Sequence, residues 1–264
     1  MSITKHALRF RRFIGSHFAV KNISPLQWKE FWNSLRPVDN GHELVRIGNS
    51  NDGGYLLPKD FEGVTCCISP GVSAIMDFEK QLLRDYGIPS ILLDASIEEP
   101  NLPNGLEFRK KFLGPYANNQ YVTLRDLCLE LGNQGILQPY ILQMDIEGFE
   151  YSSLLATPTS VLEQFRTVVV EFHNVQEWKH LGYFNSVIEP LFMELRKHFD
   201  LVHLHANNCD GTFRFRGETY PRALEITFHN KDRRKKLAQP RLRSIHPLDT
   251  DNSPELPSIE FNFD

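Results

Sequence analysis

The chain has 264 residues, 41% of them hydrophobic, and its 29 Lys and Arg against 33 Asp and Glu give a formal net charge of −4. This length supports one large domain or two small ones with a sizeable buried core, and 19 Phe with an ordinary charge level exclude a disordered chain. No run of 18 apolar residues is present to span a membrane, and the mildly acidic balance excludes a bulk nucleic-acid binder.

Residues 1–29 carry six Lys or Arg, and the first acid is Glu30. The stretch ALRFRRFIGSHF, Ala7 to Phe18, is basic and aromatic. Three readings stand side by side: a helix packed on the domain, an amphipathic segment making peripheral membrane contact, or a transit peptide. The packed helix is the expectation, and residues 1–42 are taken as a basic helical segment. Without a secretory apolar core there is no signal peptide to expect. Cys66, Cys67, Cys128 and Cys209 form no CxxC pair. A reducing, cytoplasmic setting is therefore expected.

Residues 43–230 read as one domain. Arg46 to Tyr55 is rich in turn formers, and its Asp-Gly-Gly predicts a hairpin, serving as a cover or as a lid. Val64–Ile68 reads as a buried strand running into Ser-Pro-Gly. Ile75, Met76, Phe78, Leu82, Leu83 and Tyr86 fall at helical spacing, and Gly87 and Pro89 stop that helix. Ser90–Asp94 is a second strand and Gln120–Val122 a third. Between them, Glu98 to Asn119 reads as an insertion, with Phe108, Lys110, Lys111, Phe112 and Tyr116 on a surface helix. Thr123 caps a helix whose Leu124, Leu127, Cys128 and Leu131 share a face. Tyr140–Met144 and Thr167–Phe172 are further strands, and Phe184–His198 is an amphipathic helix. Leu201–His205 and Ala223–Phe228 are strands with no helix between them. Residues 231–264 hold KDRRKK and four prolines and read as a poorly structured tail. Alternating strands and helices imply an α/β fold. The expected architecture is a three-layer, Rossmann-like sheet, mostly parallel, with an antiparallel edge strand.

Open α/β sheets bind ligands beyond the carboxyl ends of their strands. Ser69, Pro70, Gly71, Val72 and Ser73 form a small-residue loop after the first strand, but they lack GxGxxG. Asp94, 23 residues after Gly71, suits the two hydroxyls of a ribose. Ser96, Glu98 and Glu99 follow it, and such an acidic loop disfavours a pyrophosphate. Asp145, Glu147 and Glu150 crowd three acids into six residues directly after a strand. Their grouping points to a cation or a ligand. Glu171 and His173 alternate to one side of the next strand end, close to those acids. A His beside carboxylates is a candidate general base. His203 and His205, together with Asp145 and Glu171, are candidate ligands of a divalent metal.

Taken in order, RIGNSNDGGYLLP, ISPGVS, LLDAS, VTLRDL, QMDIEGFEYSSL, VVVEFHN and HLHANN resemble the FkbM-type family of class I S-adenosylmethionine (SAM) dependent methyltransferases, over roughly residues 44–229. The resemblance implies that Ser69, Pro70, Gly71 and Ser73 hold the amino-acid end of SAM. It places Asp94 and Ala95 at the ribose and Asp145 beside the sulfonium. Glu147 and His173 would face the acceptor. The implied acceptor is a carbohydrate hydroxyl, on a small molecule or a glycan. Two other readings compete. One is an NAD(P)-linked sugar-modifying oxidoreductase, against which stand the missing GxGxxG and Tyr-x-x-x-Lys. The other is a methyltransferase-like scaffold that binds a partner without catalysis.

Overall fold

The computed structural model describes residues 21–73, 75–241, 245–260 and 263. The basic stretch Ala7 to Phe18 lies outside the described residues. Helix α1 (Pro25–Asn33) opens the described chain with a capping box of Ser24 and Gln27. Strand β1 (Val38–Asp39) follows, then β2 (Leu44–Gly48) and β3 (Gly54–Pro58), which pair as the expected hairpin. The body of the domain comprises β4 (Cys66–Pro70), α2 (Asp77–Tyr86), β5 (Ser90–Leu93), β6 (Leu106–Arg109), β7 (Phe112–Leu113), β8 (Tyr121–Val122), α3 (Leu124–Asn133), β9 (Tyr140–Met144), α4 (Glu150–Leu155) and β10 (Phe165–Phe172). Helix α5 (Glu189–His198), entered through a π turn at Phe184–Ile188, leads into the long pair β11 (Phe199–Phe215) and β12 (Glu218–Asn230), and β13 (Gln239–Pro240) comes last.

Seven strands form the central sheet in the order β11-β12-β10-β9-β4-β5-β6. From β10 across to β6 every pairing is parallel, whereas β12 runs antiparallel to both of its neighbours. The fold is therefore mixed α/β around a mostly parallel sheet. The antiparallel strand was expected at the edge. It lies one place in, because β11 and β12 form one hairpin that docks through its second strand.

Two further expectations are corrected. Gln120–Val122 yields β8, which pairs with β7 in a separate two-stranded sheet. The third parallel strand is β6, inside the segment read as an insertion with a surface helix. β6 is an edge strand: Leu106 is buried, while Arg109 reaches Glu107 and the α3 residue Glu130 at 2.7 Å each. Its charges serve the edge and the neighbouring helix, so the apolar pattern of a strand is absent.

Side-chain alternation sorts the two faces. Cys66, Ile68, Tyr140, Leu142, Met144, Val168, Val170 and Phe172 face a core shared with α1, α3, α4 and α5. Cys67, Ile141 and Val169 point the other way, against Ile47, Tyr55 and Leu57 of the hairpin and Phe78 and Leu82 of α2. One face is thus covered by helices and the other by a hairpin with one helix. The described part of the N-terminal segment joins the first core: Trp28 packs edge-on against Phe215 and Tyr220, with ring centroids about 5 Å apart.

Among the described residues from 231 onward, regular structure is limited to β13 and a turn at Lys231–Arg233. These residues are nonetheless anchored. Arg233 pairs with buried Asp60 at 2.9 Å, Arg234 pairs with Asp200, and Asp249 accepts a 2.7 Å bond from His203. Among the described residues, no helix is long and apolar enough to cross a membrane.

Candidate functional site

After β4 the chain steps outward to β5 and β6, then returns to β9 on the other side of β4. The strand order reverses between β4 and β9, and their carboxyl ends carry Gly71 and Asp145. A crevice at that reversal is the expected ligand position in an open α/β sheet. The two loops touch there. Asp145 N–H donates to the Pro70 carbonyl (3.1 Å), and Gly71 has φ +88°. A Cβ on Gly71 would lie 1.5 Å from the Asp145 carbonyl oxygen, so no other residue fits.

His173 stands at the centre of the acids. Its Nδ1 donates to Oε1 of fully buried Glu150 (2.8 Å), which also accepts from the Gly148 N–H at 3.0 Å. Its Nε2 faces Asp145 at 3.6 Å, Glu171 at 3.6 Å and Glu147 at 3.8 Å. Two non-glycine residues in left-handed conformations, Glu147 (φ 57°) and Asn174 (φ 58°), shape the loops on either side. The Tyr151 hydroxyl donates to the His173 carbonyl at 2.5 Å and accepts from Trp178 Nε1 at 2.8 Å, which fixes the strand end.

The electrostatics follow from this crowding. Burial pushes the Asp145 carboxyl up to about 7, with Glu147 and Glu150 adding to the effect and His173 opposing it. Burial, then Asp145 and Glu225, push Glu171 well above the ordinary carboxylate range. Burial alone would lower His173, but the bond to Glu150 and the surrounding carboxylates carry it up to about 10.

A second acidic group adjoins the first through Glu171. Asp52, Glu171 and Glu225 bring one oxygen each within 4.8 Å of one another. Glu225 is paired with Glu171 across β10 and β12. Its carboxyl is pushed up to about 7 by burial, against the lowering effect of a bond from Asn252 (2.6 Å). Asn252 also donates to Asp52 (3.1 Å), and Asn207 donates to Glu171 (2.7 Å). The hairpin loop is held over this group by Arg46, whose guanidinium donates to the Asn49 and Asn51 carbonyls at 2.8 and 2.9 Å. Sequence reading missed Glu225 and Asn252. A charged residue inside the apolar run of β12 was the available signal for Glu225, and none marked Asn252.

The remaining expected residues fall into two sets. Ser69 is buried, and its Oγ lies between Gln143 Oε1 (2.7 Å) and the buried Glu79 carboxyl, so its side chain serves the sheet. Ser73 Oγ accepts from Ile75 N–H (3.0 Å) and closes a local turn. Asp94 and Ala95 are half-buried at the end of β5, where Asp94 Oδ1 accepts from the Ser96 N–H and hydroxyl at 2.6 Å each. The metal candidates do not assemble as a set. His203 is bound to Asp249, and His205 lines a cavity of about 220 Å³ between β11 and the tail, which neither Asp145 nor Glu171 borders. Neither a protein-family model nor a curated protein matches this chain.

Proposed function

We propose that the protein is a SAM-dependent O-methyltransferase acting on a carbohydrate hydroxyl. One observation carries the reading: the single glycine of the β4 loop is wedged against Asp145 at the strand-order reversal, with Asp94 one strand away. The ordered motifs and a mostly parallel sheet with its antiparallel strand next to the edge support it.

The residues fit SAM. Asp145 Oδ1 is buried without a hydrogen-bond partner, 3.6 Å from His173 Nε2, and an oxygen so left unsatisfied suits a cation. Gly71 lets the loops after β4 and β9 meet without a Cβ between them, which sets Asp145 beside the small-residue loop. Asp94 keeps Oδ2 for a ribose hydroxyl while Ser96 occupies Oδ1. When bound, SAM supplies a methyl group on a positively charged sulfur, ready for in-line displacement. The protein's part is alignment and charge complementarity. Asp145 and Glu171 form an oxygen-lined wall for the sulfur side. Glu147 is 88% exposed beside the Nε2 edge of His173, and the two orient an acceptor hydroxyl.

The test is transfer of labelled methyl from SAM to a panel of nucleotide sugars, glycans and lipid-linked saccharides, alongside calorimetry with S-adenosylhomocysteine. Labelled product with a saccharide acceptor is the expected result. Absence of binding to both SAM and S-adenosylhomocysteine sinks the proposal.

A further inference from the structure

We infer that the His173 cluster is a binding site for a divalent first-row transition ion, with His173 Nε2, Asp145 and Glu147 as ligands and Glu171 beside them. The inference concerns the same cleft but stands on geometry and does not require methyl transfer.

Acidic residues in a cleft are by themselves common, and here the imidazole decides. His173 is 93% buried, and its Nδ1 is committed to Glu150. A histidine held by a buried carboxylate through one nitrogen presents the other in a fixed direction, the arrangement that orients metal-ligating histidines, and a bound cation takes the place of the proton on that second nitrogen. That direction leads to three carboxylates at 3.6–3.8 Å, beyond hydrogen-bond range. Ligands about 2.1 Å from one ion lie roughly 3.0–3.5 Å from each other, so each carboxylate stands only a few tenths of an ångström beyond that separation from His173 Nε2. One oxygen or nitrogen from each of Asp145, Glu147 and His173 already lies within 4.8 Å of the others. A second observation points the same way: Asp145 Oδ1 is wholly buried, lacks a hydrogen-bond partner and is aimed into this space.

Two neighbouring groups do not compete. In His42, Asp60 and His229, the Asp60 carboxylate is taken by the guanidinium groups of Arg166 (3.0 Å) and Arg233 (2.9 Å), which exclude a cation. In Asp52, Glu171 and Glu225, the carboxylates already accept from Asn252 and Asn207. One imidazole nitrogen with two or three carboxylate oxygens suits Mn²⁺, Fe²⁺ or Zn²⁺, whereas Mg²⁺ favours an all-oxygen, water-rich shell.

The experiment uses the full chain, stripped with a chelator and titrated with Mn²⁺, free ion being counted by electron paramagnetic resonance. The expected result is one Mn²⁺ per chain, with Mg²⁺ a weak competitor. Glu147→Gln is expected to weaken Mn²⁺ about 10-fold. This residue is exposed, so its variant folds and the loss is not an unfolding artefact. Glu150→Gln is expected to cost roughly 10–100-fold through the orientation of His173, and His173→Ala to abolish stoichiometric binding. No stoichiometric Mn²⁺ on the wild type, or wild-type affinity in both Glu147→Gln and His173→Ala, overturns the site. Calorimetry with S-adenosylhomocysteine on the stripped protein separates the two proposals. Nucleoside binding without Mn²⁺ binding overturns the metal site alone, and Mn²⁺ binding without nucleoside binding supports the metal site while sinking the methyltransferase.

Discussion

At the scale of residues, Gly71 and Asp94 make opposite demands. Gly71 is fixed by space. Replacing it with Ala puts a methyl group against the Asp145 carbonyl at 1.5 Å and keeps a left-handed φ of +88°. Gly71→Ala is expected to cost at least ~3 kcal/mol, read as a fall in the urea midpoint, and an unchanged midpoint would refute the close contact. Asp94 is half-buried and has no such packing role. Asp94→Ala is expected to leave the urea midpoint within about 0.5 kcal/mol while weakening S-adenosylhomocysteine roughly 10–100-fold, as loss of a charge-assisted hydrogen bond predicts. Equal affinity in calorimetry would remove Asp94 from the ribose role. Asp145, Glu147 and His173 were legible in the sequence because each follows a buried strand, and Glu171 because it lies at the end of one. The Glu150 contact was not, since an acid in the first turn of a helix reads equally well as complementing the dipole.

At the scale of elements, apolar runs announced β4, β5, β9 and β10 because these strands are buried on both faces. β6 went unread because its exposed residues answer to α3 and to solvent. The tail posed the same problem in stronger form. Asp249, Asn252 and Ser253 make buried or half-buried bonds to His203, Glu225 and Asn208, yet no periodicity accompanies a strap that lies across strands. Truncation after Ile245 is expected to lower Tm by roughly 5–10 °C, since each kcal/mol lost shifts Tm by about 2–4 °C at this size. Hydrogen exchange should rise in β11 around Leu201–Asn207 and in the hairpin loop at Asn49–Gly53. A truncated chain with wild-type Tm and exchange would show that the strap is not held as described.

At the scale of the whole molecule, the group around Asp60 ties together the hairpin exit, β10, β12 and the tail. Burial opposes the charge on Asp60, but His229, Arg233 and Arg166 hold its carboxyl far below the ordinary range. Burial, with His42 and Arg166 adding to it, holds His229 below its ordinary value, against the raising effect of Asp60. Both groups therefore bind protons more readily in the unfolded chain. Their stabilisation is full above the ordinary histidine value of about 6.5. It falls as pH drops through that value for His229, and through about 3.9 for Asp60. The contribution of this pair to the urea midpoint should decline from pH 7 to pH 4, opposed by the raised carboxyls of Asp145, Glu171 and Glu225, and His229→Gln should remove the upper part of that decline from the measured slope. An equally steep slope between pH 7 and pH 5 in this variant would exclude His229 as its source. The wall of the acidic cleft is likewise a product of the whole chain. Asp52 and Asn252 meet across 200 residues, as do Ser50 and Thr250. On the ribosome, the parallel strands and the His173 cluster emerge well before that partner exists. The nascent domain therefore passes through a stage in which its acidic floor is assembled and its side wall is open, and closure is a late, slow step set by a contact that spans 200 residues.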